Sequence, residues 1–327
     1  MSERPAIFYA WLSLATSIVT IGLKFAAWYF TGSVGLLSDA FEGLVNVVAA
    51  IVALAVLMYS SHAPDREHNF GHEKAQYFSS GIEGALILVA AGVIVWTALP
   101  RLFEPQPIEQ AGVGLAFAFV AGLANGACAF VMLRAAKRHR SITLEADARH
   151  LLADVWTTAG VFVGVVLVQA TGWQRLDPII ALAVAAQILW TGAHLMYRSF
   201  EGLMDRAIPE EDLAVIREVL EALRREGGDY HALRTRVAGA KSFVNVHVLV
   251  PGSVSVQAGH DRVERLEAEI RSKLPHVEVL AHLEPIEDPR SWDDPDKPLA
   301  GNSRREHGDH GGKAEAGAEK GKSVPGS

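Results

Sequence analysis

The stretch VGLLSDAFEGLVNVVAAIVALAVLMY, residues 34–59, decides the fold class. A hydrocarbon core about 30 Å thick is crossed by roughly 20 apolar residues of helix, and this run reaches that length. Five more runs of the same kind lie on either side of it, at residues 7–30, 80–99, 112–133, 147–171 and 178–197. Half of the 327 residues are apolar, and they crowd into the first two thirds of the chain instead of spreading evenly as in a soluble domain. The pattern predicts a membrane α-helical protein with six transmembrane helices. The first run far exceeds the roughly 7–15 residues of a signal-peptide core, and no small-x-small cleavage site precedes polar sequence, so it reads as a span.

Basic residues set the orientation. Arg66 and Lys74 follow the second run, and Arg134, Lys137, Arg138, Arg140 and Arg149 lie between the fourth and fifth, whereas the opposite side holds Arg101 and Arg175. The positive-inside rule places both termini and the two basic loops in the cytoplasm. After Arg206 the pattern becomes that of a small soluble domain. Residues 209–225 read as an amphipathic helix ending at Gly227 and Gly228, 233–237 and 243–250 as strands around a Gly239-Ala240-Lys241 turn, 256–274 as a second amphipathic helix and 277–283 as a third strand. The expected division is residues 1–206 in the membrane, 207–289 as a cytoplasmic αββαβ domain, and 290–327 as a disordered tail with almost nothing to bury, its His307 and His310 in solvent. The net charge of −7 comes partly from the soluble third and says little about partners. Cys128, the single cysteine, lies in the fourth run and can join neither an internal disulfide nor a thiolate metal cluster.

An ionisable group inside a span is a functional candidate by default, because hydrocarbon penalises it by several kcal/mol unless it is paired or faces a cavity. The second run carries Asp39, Glu42 and Asn46, and the fifth carries Asp147, His150 and Asp154. Spacings of i, i+3 and i+7 put each set on one helical face. At about 1.5 Å per residue, with the second span entering near Val34 and the fifth near Ser141, Glu42 comes level with Asp154 and Asn46 with His150 near mid-membrane. An imidazole, two carboxylates and an amide oxygen suit Zn²⁺, Fe²⁺, Mn²⁺ or Co²⁺ and disfavour Cu⁺. A second constellation is the cytoplasmic loop, where Asp65, His68 and His72 can converge on one ion while Gly71 permits a tight backbone. A third is the soluble set His231, His247, His260, His282 and Glu284, with His282 and Glu284 on one strand face by i, i+2 alternation. Each group has a bland counterpart: polar side chains that join helices, and histidines that are simply solvated.

Four stretches together resemble the cation diffusion facilitator family, most closely its bacterial zinc- and iron-transporting members. They are Thr31-Gly32-Ser33-Val34, Phe70-Gly71-His72-Glu73-Lys74-Ala75, Asp147-Ala148-Arg149-His150-Leu151-Leu152-Ala153-Asp154, and Leu203-Met204-Asp205-Arg206-Ala207-Ile208-Pro209, and the likeness runs from about Ala6 to Pro289. The resemblance implies a homodimer in the bacterial inner membrane, with a ferredoxin-like cytoplasmic domain that dimerises and responds to metal. It also implies an intramembrane transport site at Glu42, Asn46, His150 and Asp154, a loop site at Asp65, His68 and His72, and a binuclear cytoplasmic site at His231, His247, His260, His282 and Glu284. Lys74 and Asp205 match a charge interlock at the dimer junction. Glu42 stands where such proteins usually have Asp or His, and Asn46 where Asp is usual.

The expected function is export of a divalent metal, Zn²⁺ first and Cd²⁺ or Fe²⁺ also, in exchange for protons. Metal ligands must be deprotonated to bind, so proton and metal compete for one site. The alternatives are Fe²⁺ or Mn²⁺ as main substrate, or a membrane metal sensor without transport. An enzyme is disfavoured, since the chain has no His-Glu-x-x-His stretch or multi-histidine hydrolase cluster, and nothing suggests a nucleic-acid partner.

Overall fold

Six long helices come first: α1 (Ala6–Thr31), α2 (Val34–Ser60), α3 (Ala75–Phe103), α4 (Gly112–His139), α5 (Ile142–Thr171) and α6 (Leu176–Leu203). A smaller unit follows: α7 (Glu210–Arg225), β1 (Asp229–Ala238), β2 (Lys241–Val250), α8 (Val256–Lys273) and β3 (Val277–Pro285). The computed structural model describes residues 5–31, 34–104 and 112–292. The expected tail beyond residue 292 and the side chains of residues 34–42, Asp39 and Glu42 among them, lie outside the described part.

Five helices, α1 and α3–α6, are long and apolar enough to cross a membrane, and the described part of α2, Asn46–Ser60, is a shorter apolar helix. Their outward faces carry large exposed apolar side chains such as Trp96, Phe103, Trp190 and Phe200, a surface suited to lipid and not to water. The apolar runs mark the hydrocarbon crossings, but the helices continue beyond several of their edges. α3 starts at Ala75, before the run at 80, α4 continues to His139, α5 begins at Ile142 and α6 ends at Leu203. Backbone hydrogen bonding does not stop where hydropathy does, so the helices run on past the apolar stretches through polar turns. Ser141 begins α5 by accepting a hydrogen bond from the Leu144 N–H (3.3 Å), and Gly172 ends it in left-handed backbone, φ 72°. α5 is central, packing on α1, α2, α3, α4 and α6.

In the smaller unit β2 is the middle strand, antiparallel to β1 and parallel to β3. Alternation puts Val244, Val246 and Val248 of β2 into a core with Ile216 and Leu220 of α7 and Val263 and Ile270 of α8. This is the expected αββαβ order, with longer outer strands: β1 starts at Asp229 and β3 reaches Pro285, so His231 and Glu284 both lie on strands. α7 stops at Arg225, before the glycines, with Glu226 as its last capping residue.

The two units are tied together. The Tyr77 hydroxyl of α3 accepts from the Gly239 N–H in the β1–β2 turn (3.0 Å), and a side chain at Gly202 of α6 would collide with the Tyr77 ring. Phe70 packs edge-on against Phe243 (5.6 Å), with Arg236 stacked over both rings. Arg140, in left-handed backbone after α4, donates to Asp212 of α7 at 2.7 Å.

Candidate metal centre

Three of the expected intramembrane residues have described side chains, and the fold brings them together. Asn46 of α2 lies between His150 and Asp154 of α5: its Nδ2 donates to Asp154 Oδ2 at 2.6 Å, and its Oδ1 is 2.6 Å from His150 Nε2. A carboxylate only accepts, so the amide nitrogen must face Asp154 and the amide oxygen the imidazole. All three are buried. Asn46 thus lies beside His150 and also reaches Asp154, whose expected neighbour Glu42 has its side chain outside the described residues.

Two residues absent from the sequence reading complete the cluster. Lys24 of α1 reaches Asp154 with its Nζ 3.4 Å from Oδ2, and Asn125 of α4 donates to the same oxygen at 3.1 Å. Asp154 thus collects three donors from three helices. Lys24 was visible in principle as a charged residue in the first apolar run, and Glu83 of α3, wholly buried, is another in the third.

The loop between α2 and α3 gathers Asp65, His68 and His72, whose ligand atoms all lie within 4.8 Å of one another. Asp65 Oδ1 accepts the backbone N–H groups of Glu67 (2.8 Å) and His68 (2.7 Å), while Oδ2 is 3.3 Å from His72 Nε2. The His68 backbone hydrogen bond, the largest influence, together with the Glu67 N–H holds the Asp65 carboxyl below its usual range against the opposing desolvation. Gly71 has φ 87°, which only glycine adopts readily, and its N–H closes the turn onto His68 O. His72 Nδ1 is buried without a hydrogen-bond partner.

The third cluster lies across the sheet. His231 pairs in register with His247, and His247 with His282, on the face opposite the valine core. Glu284 reaches back to His231 (2.9 Å), His247 (3.3 Å) and His282 (3.6 Å). A bulge in β1 between His231 and Arg234, with Ala232 at φ 50°, interrupts the pairing beside His231. His231, His247 and Glu284 have ligand atoms mutually within 4.8 Å; His282 is more exposed and His260, on α8, is exposed and outside the group. Imidazole and carboxylate donors at that spacing fit a borderline divalent ion.

At the domain junction Lys74 and Asp205 form an ion pair of 2.8 Å, and Arg236 also reaches Asp205 at 3.3 Å. Partial burial works to raise the Asp205 carboxyl, but the hydrogen bonds from Lys74 and Arg236 outweigh it and leave it below its usual range.

Comparison with known proteins adds independent findings. The family described as the cation efflux transmembrane domain matches residues 10–204, and the cation efflux protein cytoplasmic domain matches residues 208–286. An uncharacterized transporter of Synechocystis, sll1263, is 48% identical over 91% of this chain and 96% of its own length. The cation-efflux pump FieF of Serratia proteamaculans is 30% identical over 83% of this chain and 90% of its own, and that of Shewanella oneidensis 28% identical over 84% and 92%.

Proposed function

This chain belongs to the cation efflux, or cation diffusion facilitator, family of membrane transporters, and from that premise we propose that it exports a divalent transition metal, Zn²⁺ first, in exchange for protons. One observation carries the reading: His150, Asn46 and Asp154 form a buried cluster between α2 and α5 at membrane depth, where polar groups persist only for a purpose. Glu42, one turn before Asn46 on α2, is proposed as the fourth ligand.

The cargo ion arrives from the cytoplasm and takes ligands from Asp154, His150, Asn46 and Glu42. It must displace Lys24 from Asp154. Opening to the outside, protonation of His150 and a carboxylate weakens the site and frees the ion. The orientation with both termini inside, the bacterial inner membrane and the homodimer belong to the same proposal. The His231–His247–Glu284 cluster, with His282 and His260, is assigned to regulatory metal at the cytoplasmic domain. Fe²⁺ or Mn²⁺ is the second reading for the cargo, because a neutral amide at position 46 replaces a carboxylate and favours ions content with oxygen and nitrogen donors.

The test is flux from liposomes containing the purified full chain, with Zn²⁺, Cd²⁺, Fe²⁺, Mn²⁺, Co²⁺ and Ni²⁺ and a pH dye inside. Export of Zn²⁺ with counterflow of protons is expected, and Asp154→Ala or His150→Ala should abolish it in folded protein. Binding at the cytoplasmic cluster with no flux of any ion would instead make the chain a sensor.

A further inference from the structure

Glu83 of α3 and Asp147 of α5 are both shut off from solvent, at 0% and 1% exposure. They lie within electrostatic reach of each other across the α3–α5 contact. Each keeps one carboxyl oxygen, Glu83 Oε2 and Asp147 Oδ2, with no hydrogen-bond partner. Ser79 donates to the other Glu83 oxygen at 3.2 Å. Ser13 of α1, wholly buried, lies near Asp147, and its hydroxyl has no hydrogen-bond partner. Among the described residues no Lys, Arg or His forms an ion pair with either acid.

The charges that could compensate the pair are engaged elsewhere. Toward the cytoplasm, Arg149 of α5 and Arg198 of α6 are both held by Glu145. Deeper in the membrane, Lys24 of α1 is held by Asp154, with Asn46 of α2 and Asn125 of α4 on the same carboxylate. His150 lies on the same face of α5 one turn above Asp147, about 4.5 Å along the axis, and Asp154 about 10 Å above it. Two bare carboxylates in so closed a space would repel each other without solvent or a counter-ion. One proton removes a charge and turns one carboxyl into a hydrogen-bond donor.

We infer that Glu83 and Asp147 form a proton-binding site separate from the metal ligands, which holds one proton in the metal-free protein and gives it up when the ion occupies His150 and Asp154. A carboxylate pair plus one proton becomes one acid and one carboxylate, and nothing is oxidised or reduced. The inference deepens the proposed exchange and rests on it: metal arriving a turn away raises the local positive charge and expels the proton toward the cytoplasm, and the pair reloads after release.

The experiment measures metal and proton movement together in liposomes for the full chain and for Glu83→Gln and Asp147→Asn. Both variants should bind Zn²⁺ within about twofold of the wild-type affinity, yet move about one proton fewer per ion and respond more weakly to an imposed pH gradient. Glu83→Asp, which keeps the acid, should restore coupling. If net flux stops in the neutral variants, retained exchange of labelled for unlabelled Zn²⁺ supports the inference, since only the proton step is then blocked; loss of that exchange as well overturns it and makes the pair structural. Wild-type protons per ion in both variants overturn it too. A wild type that moves metal without protons overturns the exchange reading itself, an outcome recognisable before any variant is made.

Discussion

Asp154 receives hydrogen bonds from Lys24, Asn46 and Asn125, so an arriving ion meets a carboxylate already neutralised by a tethered cation. Lys24 then acts as a competitor for the ion's place. Lys24→Gln should tighten Zn²⁺ binding by roughly tenfold, because the ion no longer displaces an ammonium, and should slow turnover as release becomes harder. Titration calorimetry and flux on the same preparation check both halves; unchanged affinity would mean that Lys24 leaves Asp154 without resistance. Asn46→Asp acts on the same balance from α2. The substitution removes the donor that Asn46 Nδ2 offers Asp154 and adds a carboxylate that must lose its proton to bind metal. Zn²⁺ and Cd²⁺ should bind more tightly and transport should depend more steeply on pH. Affinities and pH profiles that do not move would place Asn46 outside the coordination shell.

The α2–α3 loop shows what one short element contributes. Asp65 accepts the Glu67 and His68 N–H groups, and an asparagine oxygen could do the same, so Asp65→Asn should preserve the turn while deleting the charge that faces His72. The expected result is an apparent KM for Zn²⁺ raised about 3- to 10-fold with kcat little changed; identical kinetics would reduce the loop to solvated side chains. The sign of the acid dependence follows from the lowered Asp65 carboxyl. Its contribution to the turn is complete above the unfolded value of 3.8 and disappears as pH falls through the lower folded value, so between pH 5 and 8 this carboxylate offers the metal no competing proton. The elements themselves were largely legible from residue types, because six apolar runs and a switch to amphipathic periods carry that signal. Helix ends were not, since α3–α6 run on through polar turns that hydropathy cannot see. The bridging by Asn46 and the reach of Lys24 were equally invisible, since both depend on which helices pack together and not on any spacing within one helix. Glu83 could have been found as a charge in an apolar run, but its relation to Asp147 needed the α3–α5 contact.

At the scale of the whole chain, the two units communicate through a narrow junction. Phe70, from the loop that carries Asp65 and His72, packs on Phe243 of the sheet, and Tyr77 of α3 holds the β1–β2 turn, so movement of α3 is felt by the strand that bears His247. Metal on His231, His247 and Glu284 would stiffen that sheet face. If the metal also bridges two copies, mass action requires that it stabilise the dimer it bridges. The full chain should therefore dimerise more tightly with Zn²⁺ present, and His247→Ala with Glu284→Ala should remove that dependence while leaving the intramembrane cluster untouched; sedimentation at graded protein concentration reads both. Dimerisation indifferent to metal would return these histidines to the surface. The Lys74–Asp205 pair at the same junction gives an independent reading. At 36% and 48% side-chain exposure it is screened, and such pairs contribute about 0–1 kcal/mol, so its value lies in alignment and not in stability. Asp205 also answers to Arg236, hence Asp205→Lys loses two partners whereas Lys74→Asp loses one and sets two carboxylates together. Either reversal should loosen the dimer and slow transport, and the double exchange should restore only part of it, because Arg236 then faces a lysine. Full restoration would show that Lys74 and Asp205 act alone; no effect of either reversal would show that the junction is held by the Phe70, Phe243 and Tyr77 contacts without them.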